Sequence, residues 1–245
     1  MPKGVGVRWV RIGILVLVAL FLVLPNDAWA ALEDPIFRHG RLEVRALLRA
    51  GGAIGYVVIA LSIAMVALVV EHVLTIRRGA MIPYGLAEEV HKLVSAGQIV
   101  QAYEQAKRYP SFLGYLLQSG LQEAQYGHDA AEKAMEDTAV EQAARLSRRI
   151  EYLSLIGVLG PLLGLMGTVW GMIQAFSEFA EKANPQTADF APGISEALVS
   201  TFFGLTLAIP AQTFFAIFRN RIDEFVAEAS LLAGHALGPL KKRRP

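Results

Sequence analysis

Three long stretches of this chain carry no charged side chain: residues 50–70, 152–177 and 197–218, of 21, 26 and 22 residues. A helix needs roughly 20 apolar residues to cross the hydrocarbon core of a bilayer. Backbone polar groups in hydrocarbon must bond within the segment or within a closed barrel. The runs therefore predict three spanning helices of an all-α integral membrane protein. Composition agrees, since only 18% of the 245 residues are charged, against roughly 25% in an average soluble chain. A disordered chain, a collagen-like repeat and an ordinary soluble domain are excluded.

A shorter run, 12–26, follows Lys3, Arg8 and Arg11 and leads through Pro25 to Ala28-Trp29-Ala30. A basic start, a short apolar centre and a small-x-small ending predict a secretory signal peptide over 1–30. An uncleaved first helix is the other reading. The expected division continues with an exported N-terminal segment over 31–49 and a first span over 50–76. A cytoplasmic helical domain (77–151) precedes a second span (152–177). A periplasmic loop (178–195), a third span (196–218) and a cytoplasmic helical extension with a basic tail (219–245) complete it.

The flanking charges orient the spans. Arg77 and Arg78 follow the first, Arg145, Arg148 and Arg149 precede the second, and Arg219 and Arg221 follow the third, on the side of the tail Lys241-Lys242-Arg243-Arg244. The loop over 178–195 carries Lys182 against Glu178, Glu181 and Asp189. The positive-inside rule places the N-terminus outside and the C-terminus in the cytoplasm. Arg38, Arg41, Arg45 and Arg49 run against this rule, and their spacing predicts one helical stripe lying at the headgroups.

Between Arg77 and Glu151, apolar residues recur at helical spacing, as in Leu86, Val90, Leu93 and Val94, with breaks at Pro83, Gly97, Pro110 and Gly127. Several helices are expected there, the last from about Asp129 straight into span two. Span three is expected to continue as one long helix, since neither proline nor glycine occurs between Pro210 and Gly234. Ile222, Phe225, Val226 and Ala229 give that extension an apolar stripe suited to a partner helix.

Span two holds Gly157, Gly160, Gly164, Gly167 and Gly171, at steps of 3, 4, 3 and 4, on one helical face. Glycine weakens a helix, so such a stripe calls for a compensating contact. In membranes small residues let backbones approach closely. The stripe reads as helix packing, with a pore lining as the alternative. Pro161 and Pro210 are candidate kinks that leave the carbonyls of Gly157 and Thr206 without their usual helical donors.

Glu196 lies about one turn inside span three, after Pro192. A carboxylate there matches the positive end of the helix dipole. Buried in a membrane, it is a candidate proton carrier. Ser200 lies about 40° from it around an ideal helix and Thr201 about 140° away. Thr201 is therefore expected to face span two, where Thr168 meets it.

The stretches Gly164-Leu-Met-Gly-Thr168-Val-Trp-Gly171 and Ala191-Pro-Gly-Ile-Ser-Glu196-Ala-Leu-Val-Ser-Thr201, with Gly204-Leu205 and Ala208-Ile-Pro210-Ala, resemble the MotA/TolQ/ExbB proton-channel family. Its ExbB and TolQ branch is nearest, because the flagellar MotA has four spans. The resemblance implies an inner-membrane homo-oligomer, a pentamer, around the spans of an ExbD- or TolR-like single-span partner. It implies proton flow that drives TonB-like or Tol-Pal-like machinery in the periplasm. By match of motif, Glu196, Thr168 and Thr201 take the polar pore-lining positions, with Glu196 as the ionisable group. A passive membrane scaffold or transporter subunit without ion conduction is the alternative.

Other chemistry finds little support. The net charge of +1 and the lack of a basic patch with interleaved aromatics give no ground for nucleic acid. Zero cysteine removes disulfides and thiolate sites. The five histidines form no metal-ligand pair at helical spacing, and HExxH, GxSxG and GxxxxGK[ST] motifs are missing. No cofactor, metal or enzymatic activity is expected. Glu71-His72 reads as an interfacial pair, with a proton relay as the other reading. The basic tail reads as an attraction to anionic lipid headgroups or as a solubilising end.

Overall fold

A computed structural model describes residues 37–38, 41–42, 52–182 and 186–243. The expected signal peptide, Arg45 and Arg49 lie outside these residues. Among them are three helices long and apolar enough to cross a membrane. They are α1 (Gly52–Thr75), α6 (His128–Glu181) and α7 (Ala191–Leu237). Between the first two come α2 (Arg78–Met81), α3 (Leu86–Ser95), α4 (Ile99–Arg108) and α5 (Phe112–Glu123). Short 3-10 turns occupy Ala124–Tyr126, Thr187–Phe190 and Gly238–Arg243. At about 1.5 Å per residue α1 rises about 36 Å, more than the roughly 30 Å of a bilayer core.

The predicted arginine stripe is not helical where it is described. Phe37–Arg38 (β1) and Arg41–Leu42 (β2) pair antiparallel, with Phe37 opposite Leu42 and Arg38 opposite Arg41. Extended pairing sets the two arginines across a ladder instead of along one helical face.

The described residues divide into two compact units, one drawn from those up to Val70 and from Tyr152–Phe215, the other from Glu71–Glu151 and from Ala216 onward. In the first, α6 and α7 pack antiparallel along the glycine stripe. All five stripe glycines are buried. A methyl group on Gly160 would lie 2.7 Å from the Gly204 carbonyl, one on Gly164 3.0 Å from Thr201 Cα, and one on Gly171 2.6 Å from the Gly193 carbonyl. Gly193 and Gly204 answer from α7, and a methyl on Gly204 would collide with the Gly160 carbonyl. The two backbones are thus nearly in contact, and each missing Cβ makes room for the facing chain. Pro161 and Pro210 lie inside helices that continue past them. The outer surface carries Ile63, Leu162, Val169, Ile173, Leu198 and Ile209, all exposed, as suits a lipid solvent.

The second unit has a conventional apolar core. Leu86, Val90 and Val94 of α3 recur every fourth residue and are fully or almost fully buried, with Leu113, Leu116 and Leu117 of α5. Turns separate its helices where the chain needs a left-handed backbone, at Gly85 (φ 79°), Gly97 (φ 81°) and Gly127 (φ 109°). Ser111 caps α5, its Oγ accepting from the Gly114 amide at 3.0 Å. The extension of α7 does not hold its stripe out for another protein. Ile222, Phe225 and Ala229 are buried within the chain, because α7 returns to the core that α3 and α5 build. At Gly120 of α5 an added methyl would meet Leu237 Cδ1 at 2.6 Å and Met135 Cγ at 2.7 Å.

Candidate functional site in the paired spans

The site lies in the first unit, where α6 and α7 run closest. Thr201 Oγ1 donates to the carbonyl of Gly164 at 3.2 Å. Thr168 Oγ1 donates to the same carbonyl at 3.3 Å and to that of Leu165 at 2.7 Å. Both threonines therefore converge on one backbone oxygen, midway along the glycine seam. Thr168 makes its shorter bond to Leu165 and only a long one to Gly164, so the second lone pair of the Gly164 carbonyl, beside its helical amide donor, is left chiefly to Thr201. Thr168 also borders an open apolar face of α6 formed by Leu165, Val169, Met172, Ile173 and Phe176.

Glu196 stands near the start of α7 and is half-buried. Its partners come from α6. With the Gln174 amide turned to satisfy both neighbours, its nitrogen donates to Glu196 Oε2 at 3.0 Å and its oxygen accepts from Trp170 Nε1 at 2.7 Å. Trp170 and Gln174 are one turn apart, so they share a face. The close approach at Gly171 and Gly193 brings that face within reach of Glu196. Among the described residues no cation lies within ion-pair distance of Glu196. The nearby loop charges satisfy each other, Lys182 Nζ lying 2.5 Å from Asp189 Oδ1. That pairing and the Gln186 amide hold the Asp189 carboxyl below the usual range.

Ser200 does not join Glu196 in a polar row. It is 1% exposed and packs over Gly167, and its Oγ has no hydrogen-bond partner among the described residues. Gln212 crosses the seam at Gly157, its Nε2 donating to the Ser154 carbonyl at 3.4 Å, whereas Pro161 is exposed. The carbonyl that Pro210 leaves free belongs to Thr206, whose hydroxyl donates back to Phe202 at 2.8 Å.

Two histidine arrangements fall in the second unit. His72 is 3% exposed, buried against its own chain. Its Nε2 donates to the Arg149 carbonyl at 3.2 Å, and its ring meets Phe218 edge-on at 5.6 Å. Burial follows because Arg149 of α6 and Phe218 of α7 both pack against the C-terminal end of α1. His91 and His235 stack at 4.8 Å, with His91 Nδ1 donating to the His235 carbonyl at 3.0 Å. They are 144 residues apart, which no local spacing reveals. No group of three or more histidine, aspartate or glutamate side chains able to hold a metal ion occurs among the described residues.

Residues 109–230 match the model of the MotA/TolQ/ExbB proton channel family, a range that includes every residue of this site. The biopolymer transport protein ExbB of Salmonella typhimurium is 41% identical over 86 residues, 35% of each chain. ExbB of Pseudomonas putida is 29% identical over 154 residues, covering 59% of this chain and 47% of its own. The Tol-Pal system protein TolQ of Pseudomonas aeruginosa is 34% identical over 94 residues, covering 38% and 41%. The chain thus spans between a third and a half of the length of these curated relatives.

Proposed function

The chain belongs to the MotA/TolQ/ExbB proton channel family, on its ExbB/TolQ-like side, and on that premise we propose that it is the multi-span subunit of an inner-membrane proton-conducting motor. Its N-terminus is periplasmic and its C-terminus cytoplasmic, with spans over 50–76, 152–177 and 196–218. Copies assemble as a homo-oligomer, a pentamer, around an ExbD/TolR-like single-span partner. Proton motive force acting through that assembly energises TonB-like or Tol-Pal-like machinery.

The reading rests chiefly on Glu196, a carboxyl in an apolar helix held by an amide at 3.0 Å and by no cation among the described residues. Such a group is costly in hydrocarbon, and intramembrane carboxyls accordingly face a bundle interior or water and mark proton paths. It exchanges its proton with water in the assembled pore. Thr168 and Thr201 supply hydroxyls along the path, and the open apolar face of α6 beside Thr168 meets a helix of the assembly. The five-glycine seam would serve a passive scaffold equally well, so the two readings part over conduction.

The complex with its single-span partner, reconstituted in liposomes under a pH gradient, will carry a proton flux that Glu196→Gln reduces at least tenfold. A flux unaffected by that change removes Glu196 from the mechanism and leaves the scaffold.

A further inference from the structure

Glu196 has two oxygens, and the structure treats them differently. Oε2 accepts from the Gln174 amide at 3.0 Å, whereas no hydrogen bond is made to Oε1 among the described residues. A glutamine amide alone can present either its oxygen or its nitrogen. Trp170 removes that freedom, because an indole N–H only donates. Its bond at 2.7 Å takes the amide oxygen and commits the nitrogen to Glu196.

We infer that Gln174, held by Trp170, is the positioning residue that occupies one oxygen of Glu196 and directs the transferable proton to the other. This rests on the reading of Glu196 as the ionisable group. The amide keeps both of its hydrogens, so it relays nothing. When a proton arrives, an O–H bond forms at Oε1, the carboxylate charge is neutralised, and Oε2 remains an acceptor for Gln174. When the proton leaves for water, the same amide bond becomes charge-assisted and stronger. The side chain thus keeps its orientation through the cycle, and its ionised form gains more from Gln174 than its neutral form does.

The surroundings leave this role to the amide. On α6, Trp170 and Gln174 do not titrate, and Glu178 and Glu181 are exposed further along the helix. Lys182 and Asp189 are committed to each other. Helix α1 reaches the seam through Ile54 and carries no charge before Glu71.

The test is the pH profile of proton flux through the full complex in liposomes, with Gln174→Leu, Trp170→Phe and Glu196→Gln beside the parent. Loss of the donor frees the carboxyl that it orients, so Gln174→Leu displaces the midpoint of the flux profile from the parent's. Trp170→Phe shifts it in the same direction by less. A Gln174→Leu profile that superimposes on the parent, while Glu196→Gln abolishes flux, overturns the inference and spares the motor. Unchanged flux in Glu196→Gln overturns the motor and this role together. Should Gln174→Leu not assemble, the carboxyl stretching band that Glu196→Gln removes is titrated by infrared spectroscopy in purified Trp170→Phe. A band midpoint equal to the parent's overturns the inference.

Discussion

Arg78 meets Glu228 with two nitrogens of its guanidinium, Nε at 3.1 Å and Nη2 at 2.5 Å from the same carboxylate oxygen. The pair holds the Glu228 carboxyl below its ordinary value of 4.5 and the guanidinium above its own. A depressed carboxylate contributes stability in full above its unfolded value and loses it as pH falls through the folded one. Both side chains are about a third to a half exposed (45% and 33%), so solvent screening limits the pair to about 0.2–1 kcal/mol. Arg78→Ala will lower the melting temperature by about 1–3 °C at pH 7, and the difference will shrink as pH falls below the ordinary carboxyl value and through the lowered one of the paired Glu228. A difference of equal size at pH 7 and pH 3, by scanning calorimetry, refutes the assignment. Sequence spacing made Thr168 and Thr201 legible as neighbours, since a 3.6-residue helix turns both toward the facing span. Gln174 was not legible. An amide in an apolar run carries no charge signature, and its role exists only through Trp170 on one side and another helix on the other.

At the scale of elements, period and punctuation carried most of the information. Helix α3 buries residues spaced by four, Ser111 and the three glycines of positive φ mark turns, and the five-glycine stripe announced a close contact. Pattern alone did not say which helix makes that contact, because a small-residue face fits a neighbour from any chain. Here α7 of the same chain occupies it, matching glycine with glycine at Gly204 and Gly193. Gly164→Leu therefore acts first on the subunit and only then on assembly. Its Cβ would lie 3.0 Å from Thr201 Cα and 3.2 Å from the Ser200 carbonyl, backbone atoms that cannot rotate away. Overpacking of this kind costs about 1–3 kcal/mol, occasionally more. The variant will melt at lower temperature in detergent at a protein concentration where the parent is monomeric. Normal monomer melting with lost oligomers in native mass spectrometry would place the seam between subunits instead.

The whole molecule is assembled from pieces distant in sequence, and this was the least legible level. Residues 71–151 and 216–245 form one compact unit although the spans separate them along the chain. The link is made by buried apolar side chains and by two specific contacts, Arg78 with Glu228 and His91 with His235. Local periodicity shows that a helix has an apolar face but does not name its partner. The core arithmetic makes the dependence strong. Ile222 is 1% exposed, Phe225 8% and Leu237 0%, and burying each such side chain contributes about 1.5–3 kcal/mol. Together they are comparable with the whole stability of a typical domain, about 5–15 kcal/mol. A chain ending after Arg221 keeps all three predicted spans yet strips α3 of the turn at Gly238–Arg243 and α5 of Leu237 over Gly120. It will still insert in the membrane, but residues 77–151 will be cleaved by protease at a rate at least tenfold above the parent. Equal protease resistance in the shortened chain would mean that 77–151 folds alone, and that the end of α7 lies on that unit without holding it together.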